Sequence, residues 1–348
     1  MNKKTTQSLH VSLCILPIAL AVFTLFSAGM VSGAINERDE RGGGIRSVFL
    51  ILDGVKCGYL ASLEGGYGAA EVVSEPPGPT YIVKKHIGQV KYEPFTAEIG
   101  FSAAKPVFDW IRNTWARTYV RHNGAVIPVK ANVQPDSETQ FSNALLAETT
   151  IPACDASKRE ASFIKISFAP ESTQSAAAED INAQNSPITE QKGWSCQDFS
   201  LTIDGLDCTK VIKIDSFTVK QKITTDNIGD ARAIQNEPAK LEFPHLKIVM
   251  SESAAQGWYD WFKSFAIEGN NGESNEKNGT LTFYAPNMKD ELVRIVFHNL
   301  GICKIVPDKY ESNSEEIRHV TVDLYCETME FKYNAKVTGK RNTELQIR

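Results

Sequence analysis

The side chains able to do covalent chemistry are scattered along this sequence. His86, His122, His245, His298 and His319 lie in different segments, and none falls in H-E-x-x-H or in a nucleophile motif. His298, in "VFHNLG", reads as a strand or turn residue. Asp109 and Asp260 occupy matching places beside aromatic residues. Paired acid–base work would need them to converge from separate segments, so each reads as an exposed or capping acid of its own helix. "EGGYGAA" and "RGGGIR" are glycine-rich, but no Lys-Ser/Thr follows, and a phosphate loop is not expected. "NGT" at Asn278 fits a glycosylation sequon, which matters only on a eukaryotic secretory route. These patterns predict no catalytic residue, no cofactor and no metal, and hence no enzyme.

The cysteines depend on compartment. Lys3 and Lys4 precede an almost uncharged run from Val11 to Val31 that ends in Ser32, Gly33 and Ala34. This reads as a secretory signal cleaved after Ala34. At roughly 20 residues the apolar run is also long enough to span a bilayer if retained as an anchor. Either way the body is expected to be exported: periplasmic, extracellular or anchored in the membrane by that segment alone. Cys14 belongs to the leader, which leaves Cys57, Cys154, Cys196, Cys208, Cys303 and Cys326 in an oxidising compartment. Repeat symmetry places "IPACDA" opposite "GICKIV", pairs Cys57 with Cys154 and Cys208 with Cys303, and leaves Cys196 for Cys326. The alternative is six buried thiols. No C-x-x-C pair or Cys/His spacing argues for zinc.

The elements that carry these residues come in two copies. "SAAKPVFDWIRNTW" begins at Ser102 and "SAAQGWYDWFKSFA" at Ser253, 151 positions on; "LDGVKC" at Leu52 and "IDGLDC" at Ile203 share that offset. Solenoid repeats run to roughly 20–50 residues, so this period indicates a duplicated domain. In each helix large apolar residues, mostly aromatic, fall on one face: Phe108, Trp110 and Ile111 with Val107, then Trp258, Trp261 and Phe262 with Phe265. Such a face is expected to be core rather than a ligand platform. Ser253 is placed to cap the second helix and Pro106 to sit in the first turn of the other. Strands precede and follow each helix, and "VTVDLYC" alternates clearly.

The expected fold is therefore mainly β (α+β): two tandem antiparallel β-sandwich or barrel domains, each with one flanking amphipathic helix. The boundaries are a leader at 1–34, a flexible lead-in at 35–45, domain 1 at 46–171, a disordered linker at 172–193, domain 2 at 194–335 and a tail at 336–348. The net charge of −5 gives no outer surface built to neutralise phosphates, so no specific nucleic-acid binding is expected.

Each unit resembles the tail-tube protein family of contractile phages, which is also similar to the inner-tube protein of type VI secretion. The likeness rests on the order of a first strand ending in "DG", a variable hairpin, a strand near "GQVKYEPFTAEIGF" and a helix with an "FDW" or "YDW" core. The second unit continues it through "FHNLGICKIVP" and "VTVDLYCETMEF". The resemblance covers nearly all of 197–333 and, more weakly, 47–171. It implies a structural protein that assembles with itself into a ring or tube, alongside other tail or baseplate proteins, with Ala69–Gly88 and Gln221–Lys240 as the assembling hairpins. Single-unit tubes close with six domains, which three chains of this kind would supply as a pseudo-sixfold trimer. A secreted monomeric binding or adhesion protein reusing the fold is the alternative.

Overall fold

The computed structural model describes residues 45–77, 81–100, 103, 105–130, 137–177, 194–226, 235–309 and 317–334. The leader, most of the lead-in and the tail lie outside the described residues. Those described belong to one compact unit. The first half supplies β1 (Ile45–Leu52), β2 (Val55–Leu60), β3 (Ser62–Glu64), β4 (Gly68–Ser74), β5 (Lys85–Tyr92), β6 (Phe95–Ile99), helix α1 (Lys105–Trp115), β7 (His122–Lys130), β8 (Glu138–Ile151), β9 (Cys154–Asp155), β10 (Ala161–Ser162), β11 (Ile164–Ala169) and β12 (Ser172–Ala176). The second supplies β13 (Trp194–Ser195), β14 (Phe199–Ile203), β15 (Val211–Ile214), β16 (Phe217–Asp226), β17 (Gln235–Glu242), β18 (Leu246–Ser251), helix α2 (Gln256–Phe262), β19 (Lys277–Tyr284), β20 (Glu291–Pro307) and β21 (His319–Tyr333). The fold is mainly β.

Two large antiparallel sheets hold most of these strands, and they share one order. The first contains the path β1-β7-β8-β11-β6-β3, with β2 beyond β1; the second contains β14-β19-β20-β21-β18-β15. Alternating patterns make each path one-sided. Phe95, Ala97 and Ile99 of β6 turn inward, as do Val320, Val322 and Leu324 of β21, while the residues between them stay partly exposed.

The sheets interlock. β16 of the second half pairs with the end of β8, matching Phe217 with Ile151 and Lys220 with Glu148, and β17 follows it as a hairpin. In return β9 of the first half pairs with β15, and β10 pairs with β13. One contiguous cluster of buried side chains accordingly runs through both halves. The segment expected to be linker begins as β12, which pairs with Glu138–Ser142 of β8. Strand pairing at an edge needs backbone groups rather than apolar side chains, so the polar "STQSA" gives no warning of it.

The helices differ. α1 runs for 11 residues and buries Val107, Phe108, Trp110, Ile111, Thr114 and Trp115. α2 has 7 residues, buries Trp258 and Trp261, and passes into a π-turn at Lys263–Ile267 that buries Phe265. Phe262 is only half-buried. Ser253 does not cap α2: it sits in a 3-10 turn that precedes the helix, bonded to the Ser251 hydroxyl at 2.9 Å, and the cap position is Ala255.

Where β7 crosses β1, Gly124 leaves no room for a side chain. A Cβ there would lie 2.1 Å from the Ile51 carbonyl oxygen and 2.6 Å from the Phe141 ring. Gly124→Ala is expected to lower the unfolding free energy by about 1–3 kcal/mol through overpacking, seen as a lower urea midpoint at unchanged slope.

Candidate assembly surface

Among the described residues, four of the histidines each meet one carboxylate. His86 meets Glu75 at 2.9 Å, His122 meets Asp53 at 2.5 Å, His298 meets Glu330 at 2.9 Å and His319 meets Asp308 at 3.3 Å, each pair on its own part of the surface. Among the described residues no group of three or more His, Cys, Asp or Glu side chains could hold a metal ion.

The cysteine expectation is corrected. All six are free thiols, so the pairs Cys57–Cys154, Cys208–Cys303 and Cys196–Cys326 are not formed. Cys154 follows β8 and joins the second sheet through β9, whereas Cys303 sits inside β20, where it is the unmatched residue of a bulge between Ile302 and Lys304. Its counterpart is Ala147, unmatched between Leu146 and Glu148 of β8. Burial pushes the Cys57 and Cys326 thiols up to about 12 and the Cys208 thiol up to about 11, which leaves them poor nucleophiles.

The chemistry concentrates instead where the halves meet. β16 lies along β8 with the Thr218 and Thr150 hydroxyls 2.9 Å apart and Lys220 paired with Glu148 at 3.1 Å. Behind it Arg121 donates to the Asn236 carbonyl at 2.6 Å and to Glu237 at 2.8 Å. The Asn236 backbone N–H donates to Glu171 at 2.8 Å, and its buried amide reaches the Pro170 carbonyl at 3.2 Å. These polar groups fix the register of the hairpin against the first sheet.

The other half of the joint is aromatic. Phe108 stacks on Tyr333 at 5.2 Å between centroids, and Trp115 meets Phe331 edge-on at 5.5 Å. The α1 face therefore packs on β21 of the other half. Asp109 and Asp260 part company here. Asp260 is exposed and accepts from Gln256 of its own helix. Asp109 accepts from the Tyr333 hydroxyl at 2.8 Å and from Arg112 at 2.8 Å, and also pairs with Lys105. Burial works against the Asp109 charge, but hydrogen bonds from Lys105 and Tyr333 and the Arg112 charge outweigh it and hold the carboxyl below its ordinary value. Burial and that carboxylate together push the Tyr333 phenol up.

Sequence reading identified both helices and both hairpins but not the groups that dock them. Arg121, Glu171 and Asn236 belong to no motif, and only the strand register brings them together. Among the described residues no helix is long and apolar enough to cross a membrane.

No protein family model matches the chain, and no curated protein does. It has low-level similarity to several solved structures. A segment covering 45% of this chain matches 100% of the anti-feeding prophage cap, a tube-terminating cap, at 16% identity and a TM-score of 0.34. Another 45% match spans 100% of a chain from the PVC sheath-tube complex of an extracellular contractile injection system, at 11% identity and a TM-score of 0.30. Hcp1 from Flavobacterium johnsoniae matches over 39% of this chain and 95% of its own, at 16% identity and a TM-score of 0.24.

The Asp109 carboxyl titrates below its ordinary value of 3.8, so its contribution is present above that pH and is lost as pH falls through the folded value. Asp109→Asn is expected to cost about 1.5–3 kcal/mol in urea unfolding at pH 7, as for a hydrogen bond to a charged group. Because that variant has nothing left to protonate there, its stability should fall less steeply than the wild type below pH 3.8.

Proposed function

We propose that this protein is a structural, self-assembling component of tail-tube type, built from two tube-like domains in tandem and acting in a contractile-tail or injection-type machine. The observation that carries this reading is the joint between the halves. A hairpin from one half extends the sheet of the other, while a helix packs across to the neighbouring strand. Such a joint is a head-to-tail contact within one chain. Repeated between chains, a heterologous contact of this kind closes into a ring when its rotation permits.

On this reading the two domains are duplicates, as the shared strand order of the two sheets supports. Three chains would supply six domains, giving a trimer with pseudo-sixfold symmetry, and stacked rings would give a tube. The role is mechanical and spatial, and no residue is assigned to catalysis. Other tail or baseplate proteins would be the further partners, and export would bring the protein to its place of assembly.

Light scattering across a concentration series, followed by negative-stain microscopy, tests the reading. Rings of three chains, or tubes, are expected. A strict monomer at every concentration would defeat it and favour a secreted binding protein on the same fold.

A further inference from the structure

Among the described residues the β4–β5 hairpin is strand-paired with neither large sheet, although β5 comes close to β12. β4 pairs only with β5, all seven β4 residues are exposed, and Tyr67, Val72, Val73 and Ile87 leave apolar surface in solvent. An isolated two-stranded hairpin is marginal in water, and its edges offer unpaired backbone groups. Its register repeats that of β16–β17. Val72 faces Ile87 and Val73 faces His86, as Ile223 faces Pro238 and Thr224 faces Glu237, and both hairpins slip at the same place, after Ala70 and after Gln221. The β16–β17 hairpin is docked on β8; the β4–β5 hairpin makes no further strand pairing among the described residues.

A matching vacancy in strand pairing lies on β20. Residues Glu148–Ile151 of β8 pair with β16 on one side, and Glu148, Thr149 and Thr150 pair with β11 on the other. Among the described residues, the corresponding Lys304–Pro307 pair with β21 on one side only. The correspondence holds in detail. Each stretch follows a one-residue bulge, at Ala147 or Cys303. Each also follows an asparagine at positive φ, Asn143 at 49° or Asn299 at 54°, whose amide donates to a glutamate, Glu171 at 2.8 Å or Glu327 at 2.6 Å.

One feature is reversed. Gly124 pairs with Leu52 and Gly279 with Ile203, so Arg121, three residues before the first glycine, corresponds to Glu276 before the second. Glu276 accepts from the Tyr325 hydroxyl at 2.5 Å through one oxygen; its other oxygen is buried with no hydrogen-bond partner. In the docked hairpin the residues facing Arg121 are Asn236 and Glu237, and the free hairpin carries Lys85 and His86 at those places. Base facing acid has become acid awaiting base.

We infer that the β4–β5 hairpin of one copy adds to the free edge of β20 in the next copy of this chain, bringing Lys85 and His86 to the unsatisfied Glu276 carboxylate and to Glu327. The inference rests on the self-assembly reading and names its contact. Transferring the β16–β8 register sets Tyr67 opposite Val306 and Ala69 opposite Lys304. Tyr67 and Val306 are 73% and 44% exposed in the single chain, and as direct cross-strand neighbours they would cover one another. The reversed charges also enforce order. The β16–β17 hairpin would bring Glu237 to Glu276, and the β4–β5 hairpin would bring Lys85 to Arg121, so each hairpin is repelled by the wrong edge.

The test is sedimentation and light scattering of the full chain. The Lys85→Glu/His86→Glu variant, altered on an exposed hairpin, is expected to weaken association by about tenfold or more, and Glu276→Lys to do the same. Combining Lys85→Glu/His86→Glu with Glu276→Lys is expected to restore association. In a Cys303→Ser background, Tyr67→Cys with Val306→Cys should give a ladder of disulfide-linked chains, whereas Thr218→Cys with Thr150→Cys should link within one chain. Assembly by the wild type that survives charge reversal, with no ladder, would overturn this contact and leave self-assembly standing. A monomeric wild type would remove both.

Discussion

The structure depends on the need of a strand edge to find backbone partners, and β8 shows how that need is met. This strand of 14 residues serves different neighbours along its length. Its beginning lies between β7 and β12, its end between β11 and β16. A β8 left without β16 would present a row of unpaired donors and acceptors beside a buried core. The second half supplies that partner and receives β9 in exchange. The halves are thus conditions of one another's stability, and a single cooperative unfolding transition is the natural consequence of one shared core.

The unequal helices follow from the same arrangement. α1 lies against β21, where Phe331 and Tyr333 give aromatic surface to Phe108 and Trp115. α2 lies against β20 of its own half instead. It buries Trp258 and Trp261, whose indole N–H groups donate to the Asp207 and Asn275 carbonyls at 3.1 and 3.3 Å. The longer helix is the one that meets aromatic rings across the joint, in keeping with packing contributing more to helix stability than propensity does.

Much of this was legible in the residues. The paired aromatic helices, the Asp-Gly turns and the alternation of β21 are written in side-chain types. Strand exchange is not, because backbone pairing leaves no mark on side-chain pattern: β12 looks like linker, and β16 looks like any strand of its own half. Local motifs also misled. Cys154 and Cys303 match by their surrounding motifs, yet the segment between helix and β20 is longer in the second half, and strand register sets Cys303 against Ala147. The dock around Arg121 and Glu171 was invisible for a related reason: residues far apart in sequence acquire their meaning only from the strands that carry them.

The two docks also differ in what they must accomplish. A joint within one chain forms at the high effective concentration that the connecting segment imposes, so polar contacts around Asn236 suffice to set its register. A joint between chains has no such help and must choose among competing edges in free solution. Surface charges suit that task because they act before contact, speed encounter and penalise the wrong match, although salt screens them. The carboxylate of Glu276, held by Tyr325 on one oxygen and left without a hydrogen-bond partner on its other, buried one, is the group that the inferred neighbour would have to satisfy. Duplication would then have allowed the joints to diverge: a ring of identical units has only one kind of contact, whereas paired units have two, and each hairpin can carry the charge that excludes it from the other's place.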